Sequence, residues 1–194
     1  MGIRFAKRED LAQILAIYAP YVEETAVSFE YIVPTMEVFE KRFLAYTSQY
    51  PWLVWEENGA VLGYAYGSAP FERAAFSWCA ESSIYLRRDQ RGKGMGKKLQ
   101  LALEQLLQMQ GYQILYALVT TDNPASVAFH EALGFTRRAA FPDCGWKLGS
   151  WHGLLWLEKR LNPKEKVGEF PAAFPEIAEK NQNLSALLEE FTLS

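Results

Sequence analysis

Leu11, Ile14, Leu15 and Tyr18 recur at the three-and-four spacing of one helix face, with Asp10 ahead of them as a capping residue. A helix is predicted there, with Pro20 near its end. Met36, Phe39, Phe43 and Leu44 repeat the spacing behind Thr35 and predict a second helix over residues 35–47. Two apolar runs, 52–55 and 60–66, flank Glu56-Glu57-Asn58-Gly59, whose Asn-Gly pair signals a hairpin. Residues 3–6 read as a short strand and 75–86 as a longer one. Leu99, Ala102, Leu103, Leu106 and Leu107 return to helical spacing until Gly111. A strand over 114–119, a helix opened by Asn123-Pro124 and stopped by Gly134, and a strand over 151–161 complete the order.

An antiparallel opening followed by strand, helix, strand, helix, strand predicts an α/β (α+β) fold. The expected sheet is mixed, of about six to seven strands, with helices on both faces. Residues 1–161 are expected to form one domain. Residues 162–194 differ in character, with Pro163, Pro171, Pro175 and many charges before Leu184, Leu187, Leu188 and Phe191. This segment reads as a partly helical extension.

Composition narrows the function classes. The chain has 194 residues, 49% of them hydrophobic, enough to bury one core. A net charge of -3 argues against a nucleic-acid binder, which needs a basic surplus to displace counterions. No apolar run approaches the roughly 20 residues that cross a bilayer, so no membrane partner is expected. Cys79 and Cys144 have no metal-like spacing and the first ten residues hold no apolar signal region, so no metal and a reducing cytoplasm are expected. Neither cysteine has a neighbour that would activate it as a nucleophile.

The stretch Gln90-Arg91-Gly92-Lys93-Gly94-Met95-Gly96 stands apart from these periodicities. It fails the Walker A pattern, because Lys97 is followed by Lys98, and it fails Gly-x-Gly-x-x-Gly from either starting glycine. Its physical content remains: glycines turn backbone N–H groups around an anion, and the helix behind them adds its positive end. From Arg87 to Lys98 there are six cations against one acid, Asp89, so a pyrophosphate with a further phosphate at the rim fits.

Residues Arg91-Gly92-Lys93-Gly94-Met95-Gly96 match the Arg/Gln-x-x-Gly-x-Gly/Ala signature of the GNAT superfamily of acyltransferases. Asn123-Pro124-Ala125-Ser126-Val127-Ala128-Phe129-His130-Glu131-Ala132-Leu133-Gly134-Phe135 resembles that family's second stretch, which lines the cofactor arm. A narrower resemblance, to the phosphinothricin and methionine sulfoximine N-acetyltransferase group, covers about residues 1–160. It is carried by Tyr50-Pro51-Trp52-Leu53-Val54, Glu81-Ser82-Ser83-Ile84-Tyr85-Leu86 and Gly145-Trp146-Lys147-Leu148-Gly149-Ser150-Trp151-His152. One departure is Gly153, where the group often has an aspartate.

The resemblance implies a GNAT fold, a homodimer, and transfer of an acetyl group from acetyl-CoA to the amine of a small amino-acid-like compound. It implies Glu81 as general base, and a carboxylate in an otherwise apolar or small-residue strand suits that task. His130 stands where the superfamily has a tyrosine that protonates the leaving thiolate. Coenzyme contacts are expected from Ile84, Tyr85, Leu86, Arg91, Gly92, Lys93, Gly94, Met95, Gly96, Lys97, Asn123 and Ser126. Acceptor contacts are expected from Phe29, Glu30, Arg73, Phe76, Lys147 and Trp151, with Arg73 and Lys147 as partners for the acceptor's carboxylate. The alternatives are an acetyltransferase for a protein or peptide amino terminus and a non-catalytic acyl-CoA-binding module.

Overall fold

Among the described residues, seven strands pair in the order β1-β2-β3-β4-β5-β7-β6 in a computed structural model that describes residues 2–162 and 169–193. In chain order these are β1 (Gly2–Phe5), β2 (Trp52–Glu57), β3 (Ala60–Ser68), β4 (Cys79–Leu86), β5 (Ile114–Thr120), β6 (Thr136–Lys147) and β7 (Ser150–Arg160). The helices are α1 (Leu11–Glu24), α2 (Met36–Thr47), α3 (Met95–Gln110), α4 (Pro124–Ala132), α5 (Phe174–Lys180) and α6 (Leu184–Leu193). The expected mixed sheet with helices on both faces is the observed architecture.

Strand alternation sorts the core into two layers. Leu53 and Trp55 face a cluster with Leu99, Leu103, Leu106, Leu115 and Leu157, which α3 covers. Trp52 and Val54 face the other way, against Ile14, Val22, Phe39 and Phe43 of α1 and α2. Fully burying each such side chain stabilises the fold by roughly 1.5–3 kcal/mol, so both layers contribute to holding the sheet between its helices. The extension adds to the first layer: Leu184 and Leu188 of α6 are buried in it. Thr192 accepts a hydrogen bond from the Ile3 amide on edge strand β1 at 2.9 Å, and its carbonyl accepts one from Lys98 of α3 at 2.8 Å.

The feature that makes a site is a failure of pairing. Strands β4 and β5 are parallel neighbours only at Cys79↔Ile114, Ala80↔Leu115 and Glu81↔Tyr116. Beyond that vertex residues 82–86 and 117–120 carry no ladder between them, which frees the backbone groups of β4 that face β5.

Several local expectations change. The run 75–86 is not all strand: a 3-10 turn at Ala74–Phe76 precedes it, and β4 starts at Cys79. Helix α1 continues past Pro20 to Glu24. The Asp10 carboxylate does not cap α1; it binds the Arg4 guanidinium at 2.7 and 2.8 Å and the Lys7 amide at 2.7 Å. Thr35 does cap α2, accepting from the Val38 amide. Strand β6 and helix α5 were not expected. Pro163 lies outside the described residues.

Candidate active site

The splay opens into a cavity of about 620 Å³ that passes between the two layers. Ser82, Ser83, Ile84, Tyr85 and Leu86 form one wall, and Ala117, Leu118, Val119 and Thr120 the other. On the α3 side it reaches Arg91, Gly92, Gly96, Asn123, Ser126 and His130; on the α1 side it reaches Tyr21, Thr25, Ala26, Val27, Leu148 and His152. A volume of this size suits a small-molecule ligand.

At the α3 end, Gly94 holds the N-cap of the helix at φ +82°, and Gly92 stands at φ +75°. Both conformations are natural only for glycine, and nothing lies within 4 Å of where a Cβ would stand at either. The loop is therefore an open rim in front of the unpaired N–H groups of α3. Arg91 hangs over the Tyr21 ring, 5.2 Å from its centroid, and the Tyr21 hydroxyl donates to the Leu86 carbonyl at 2.5 Å, anchoring the end of β4. Lys97 is exposed, Lys93 donates to the Gln90 side chain at 2.8 Å, and Met95 is buried.

Asn123 caps α4 by accepting from the Ser126 amide at 3.2 Å, which turns its NH₂ group away from the helix. His130, one turn after Ser126, is 3% exposed between the rings of Phe129 and Phe135. Its Nδ1 faces the Ser126 carbonyl at 2.8 Å, so Nδ1 carries a proton and donates it there. Nε2 is buried without a partner among the described residues, and burial pushes the imidazole pKa down. The neutral ring presents Nε2 as an acceptor.

Glu81 sits at the vertex, the last β4 residue that pairs with β5. Strand alternation puts its side chain on the same face as Ser83 and Tyr85, beside Tyr116. No hydrogen-bond donor or cation reaches its carboxylate among the described residues, and burial alone pushes its pKa up to about 7. Glu81 does not border the cavity itself; its neighbours Ser82 and Ser83 do.

The expected acceptor residues do not converge as a set. Phe29 packs on Gly145 of β6, and Glu30 accepts from Arg42 at 2.5 Å and from Tyr18 at 3.1 Å. Lys147 is 3% exposed and donates to the Ser28 carbonyl at 2.5 Å, so its charge is already engaged. Burial pushes its pKa down. Trp151 is 58% exposed and packs edge-on against Trp146, away from the cavity. Arg73 is exposed in the β3–β4 loop, and Phe76, also exposed, stacks near Phe71.

Sequence reading gave no role to a pair on the cavity wall, Asp122 and His152. The His152 Nδ1 meets the Asp122 carboxylate, and Nε2 faces the Lys147 carbonyl at 2.8 Å. Both nitrogens point at acceptors, which favours the imidazolium, and the pKa is raised mainly by Asp122. The pair ties the β5–α4 loop to the β6–β7 hairpin. The available signal was scarcity: the chain has two histidines.

The open glycine rim, the freed β4 backbone, the outward amide of Asn123 and the unpartnered Nε2 of His130 together fit an elongated ligand with a phosphate end and an amide-bearing arm. Residues 3–156 match the family model described as the acetyltransferase (GNAT) domain. The chain belongs to the GNAT acetyltransferase family. It is 38% identical over 166 residues to an L-methionine sulfoximine/L-methionine sulfone acetyltransferase of Pseudomonas paraeruginosa, covering 84% of this chain and 95% of that one. It is 33% identical over 152 residues to the phosphinothricin N-acetyltransferase of Streptomyces viridochromogenes, covering 78% and 83%. A GNAT superfamily phosphinothricin acetyltransferase from Sinorhizobium meliloti, solved in complex with acetyl-CoA, superposes with a TM-score of 0.80 at 34% identity over 85% of this chain and 94% of that one. The enzyme is an N-acetyltransferase whose acetyl donor is acetyl-CoA.

Proposed function

We propose that the enzyme acetylates the primary amine of a small amino-acid-like acceptor, of the phosphinothricin or methionine sulfoximine type, by direct transfer with Glu81 as general base. The observation that carries this reading is the carboxylate at the vertex of the splay, desolvated, without a partner among the described residues, and poised near neutrality. The names of the relatives support the acceptor class.

Acetyl-CoA supplies an activated thioester carbonyl. In this reading the amides around Gly92 and Gly94 and the first turn of α3 hold the diphosphate, with Arg91 and Lys97 at its edge. The β4 backbone at 84–86 and the Asn123 amide pair with the pantetheine arm. Glu81 removes the proton that the amine must lose in attacking, and a freed β4 N–H steadies charge on the carbonyl oxygen. Holding both reactants in one wedge supplies much of the acceleration by proximity. With its proton on Nδ1, His130 contacts the coenzyme arm as an acceptor; delivering a proton to the departing sulfur requires prior protonation at Nε2.

The catalytic domain runs over 1–161, with 162–194 as an extension. Exposed Phe141, Trp146, Leu148 and Trp151 on the β6–β7 hairpin support a homodimer through that face, which sedimentation velocity tests. Two free cysteines suit a cytoplasmic setting.

The test of function is thiol release from acetyl-CoA across amino acids, sulfoximines, phosphinothricin, polyamines and peptides. Turnover confined to amino-acid-like amines is expected. Turnover on peptides alone, or on nothing while acetyl-CoA still binds, overturns the reading.

A further inference from the structure

Helix α3 packs Leu99, Leu103, Leu106 and Leu107 into the core, yet one stripe of its buried surface is not apolar. Gly96, Gln100 and Glu104 follow one another at four-residue spacing and share a face. Gly96 lines the cavity, and a Cβ there would stand 3.4 Å from Leu86 and 3.7 Å from Ile84, so this face lies along β4. Gln100, one turn deeper, is fully buried, and Glu104 beyond it is buried as well. The stripe runs from the cavity down to the vertex of the splay.

The hydrogen bonds of this stripe form a chain with one direction. Lys159, opposite Leu115 in the paired part of the sheet, donates to Glu104 Oε2 at 2.5 Å. A carboxylate only accepts, so the Gln100 amide turns its Nε2 to Glu104 Oε1 at 3.2 Å, and the same Nε2 donates to the Ser82 hydroxyl at 3.2 Å. Ser82 Oγ accepts there, so its own proton goes to the Tyr116 carbonyl at 3.4 Å. Tyr116 is the last β5 residue that pairs with β4, and Ser82 is the first β4 residue past that ladder. Gln100 Oε1 is left buried with no partner among the described residues, a cost that an apolar residue there would avoid. Replacing buried polar networks by apolar side chains of similar volume is often neutral or stabilising, so stability does not account for this one.

Backbone alternation says what the chain of bonds holds. The Arg87 amide, just past β4, donates to the Leu62 carbonyl of β3, so odd-numbered residues of β4 turn their backbone groups to β3 and even-numbered ones to β5. The Leu86 carbonyl, taken by the Tyr21 hydroxyl instead of by β3, agrees. The first amide left facing the open splay is therefore that of Ile84, two residues past Ser82. We infer that Gln100 is a positioning residue: through Ser82 it fixes the point at which β4 leaves β5, and with it the place of the Ile84 N–H that steadies the thioester oxygen. This rests on the reading, given above, of a freed β4 N–H as that donor. Such a donor acts over a narrow range, about 2.7–3.1 Å, so a slip of the vertex lowers turnover without touching the diphosphate end.

The experiment is a double-substitution cycle in the full-length enzyme on the best acceptor of the panel, with kcat counted per acetyl-CoA site found by calorimetry. Gln100→Leu and Ser82→Ala should each lower kcat about tenfold while the KM for acetyl-CoA changes less than about twofold. The double variant should also lose about tenfold rather than about 100-fold, because the two residues act in series. Gln100→Leu should melt at or above the parent, which a merely structural role would not allow. Gln100→Met, unbranched like glutamine, carries the same expectations if leucine packs badly. Additive losses in the double variant, or a fall in melting temperature that tracks the fall in kcat, overturn the inference. An unaltered kcat in both single variants, in an enzyme that still loses turnover in Glu81→Gln, overturns it and leaves the proposed function standing. Turnover that survives Glu81→Gln with the cycle as expected overturns the base assignment and supports this inference.

Discussion

The two ends of the cavity are built on different principles. At the α3 end the proposed recognition is by backbone: Gly92 and Gly94 adopt positive φ at an open rim ahead of the α3 N-terminus. At the other end the proposed chemistry falls to side chains. Glu81 of β4, next to the cavity wall, and the Asp122–His152 pair on that wall, from the β5–α4 loop and β7, are side chains that the sheet brings near one another. Backbone recognition leaves a local signature, because only glycine tolerates the geometry. Side-chain recognition leaves none, because each contributor looks ordinary in its own segment.

Substitutions separate the ends. The largest expected effect is at Glu81: Glu81→Gln lowers kcat by roughly 10²–10⁴-fold while calorimetry finds acetyl-CoA binding intact, as loss of a general base requires. A matching loss of coenzyme affinity would mean the ends are not separable. Next is Gly94→Ala, which forces a Cβ into the left-handed region at φ +82°, a strain of about 1–2 kcal/mol. The KM for acetyl-CoA should rise about 5–30-fold with the acceptor KM unchanged. Lys147→Met leaves the Ser28 carbonyl without its donor; a roughly threefold to tenfold rise in acceptor KM, with coenzyme affinity preserved, is the expected pattern.

The smallest effect is thermodynamic. Glu81 has a folded pKa of about 7 against an ordinary 4.5, so the folded state holds its proton more tightly than the unfolded chain. Its ionisation therefore costs nothing below about pH 4.5 and destabilises progressively as pH rises through about 7. The melting temperature of Glu81→Gln should therefore gain on the parent's steadily between pH 5 and pH 8, by up to the roughly 2–3 kcal/mol that a shift from 4.5 to about 7 carries over that range.

The same division explains what the sequence disclosed. Helices α1 to α4 carry apolar stripes with stop signals, and the Asn58-Gly59 hairpin and the glycine rim are local, so all of these were legible. Strand β6 was not: Thr136–Lys147 is largely exposed, contains Pro142, and exists as a strand because β7 pairs with it across two register irregularities. Residues 75–78 carry strand-like letters yet lie in the 3-10 turn Ala74–Phe76 and the turn that follows it, which lets Phe76 and Phe71 meet. Asp10 looked like a cap, but Arg4, distant by a turn of chain, outcompetes the α1 amides for its carboxylate. Lys147 read as a free cation until the α1–α2 loop folded onto it. Each miss involves a partner that only the tertiary fold supplies.

The central claim is that a desolvated carboxylate at the vertex of the splay takes the amine's proton. Its direct measure is log kcat/KM for the acceptor against pH, from 5.5 to 9, in the parent and in Glu81→Gln. The account predicts a limb rising with pH through about 7 in the parent and absent from the variant. A limb that persists unchanged in Glu81→Gln would contradict it.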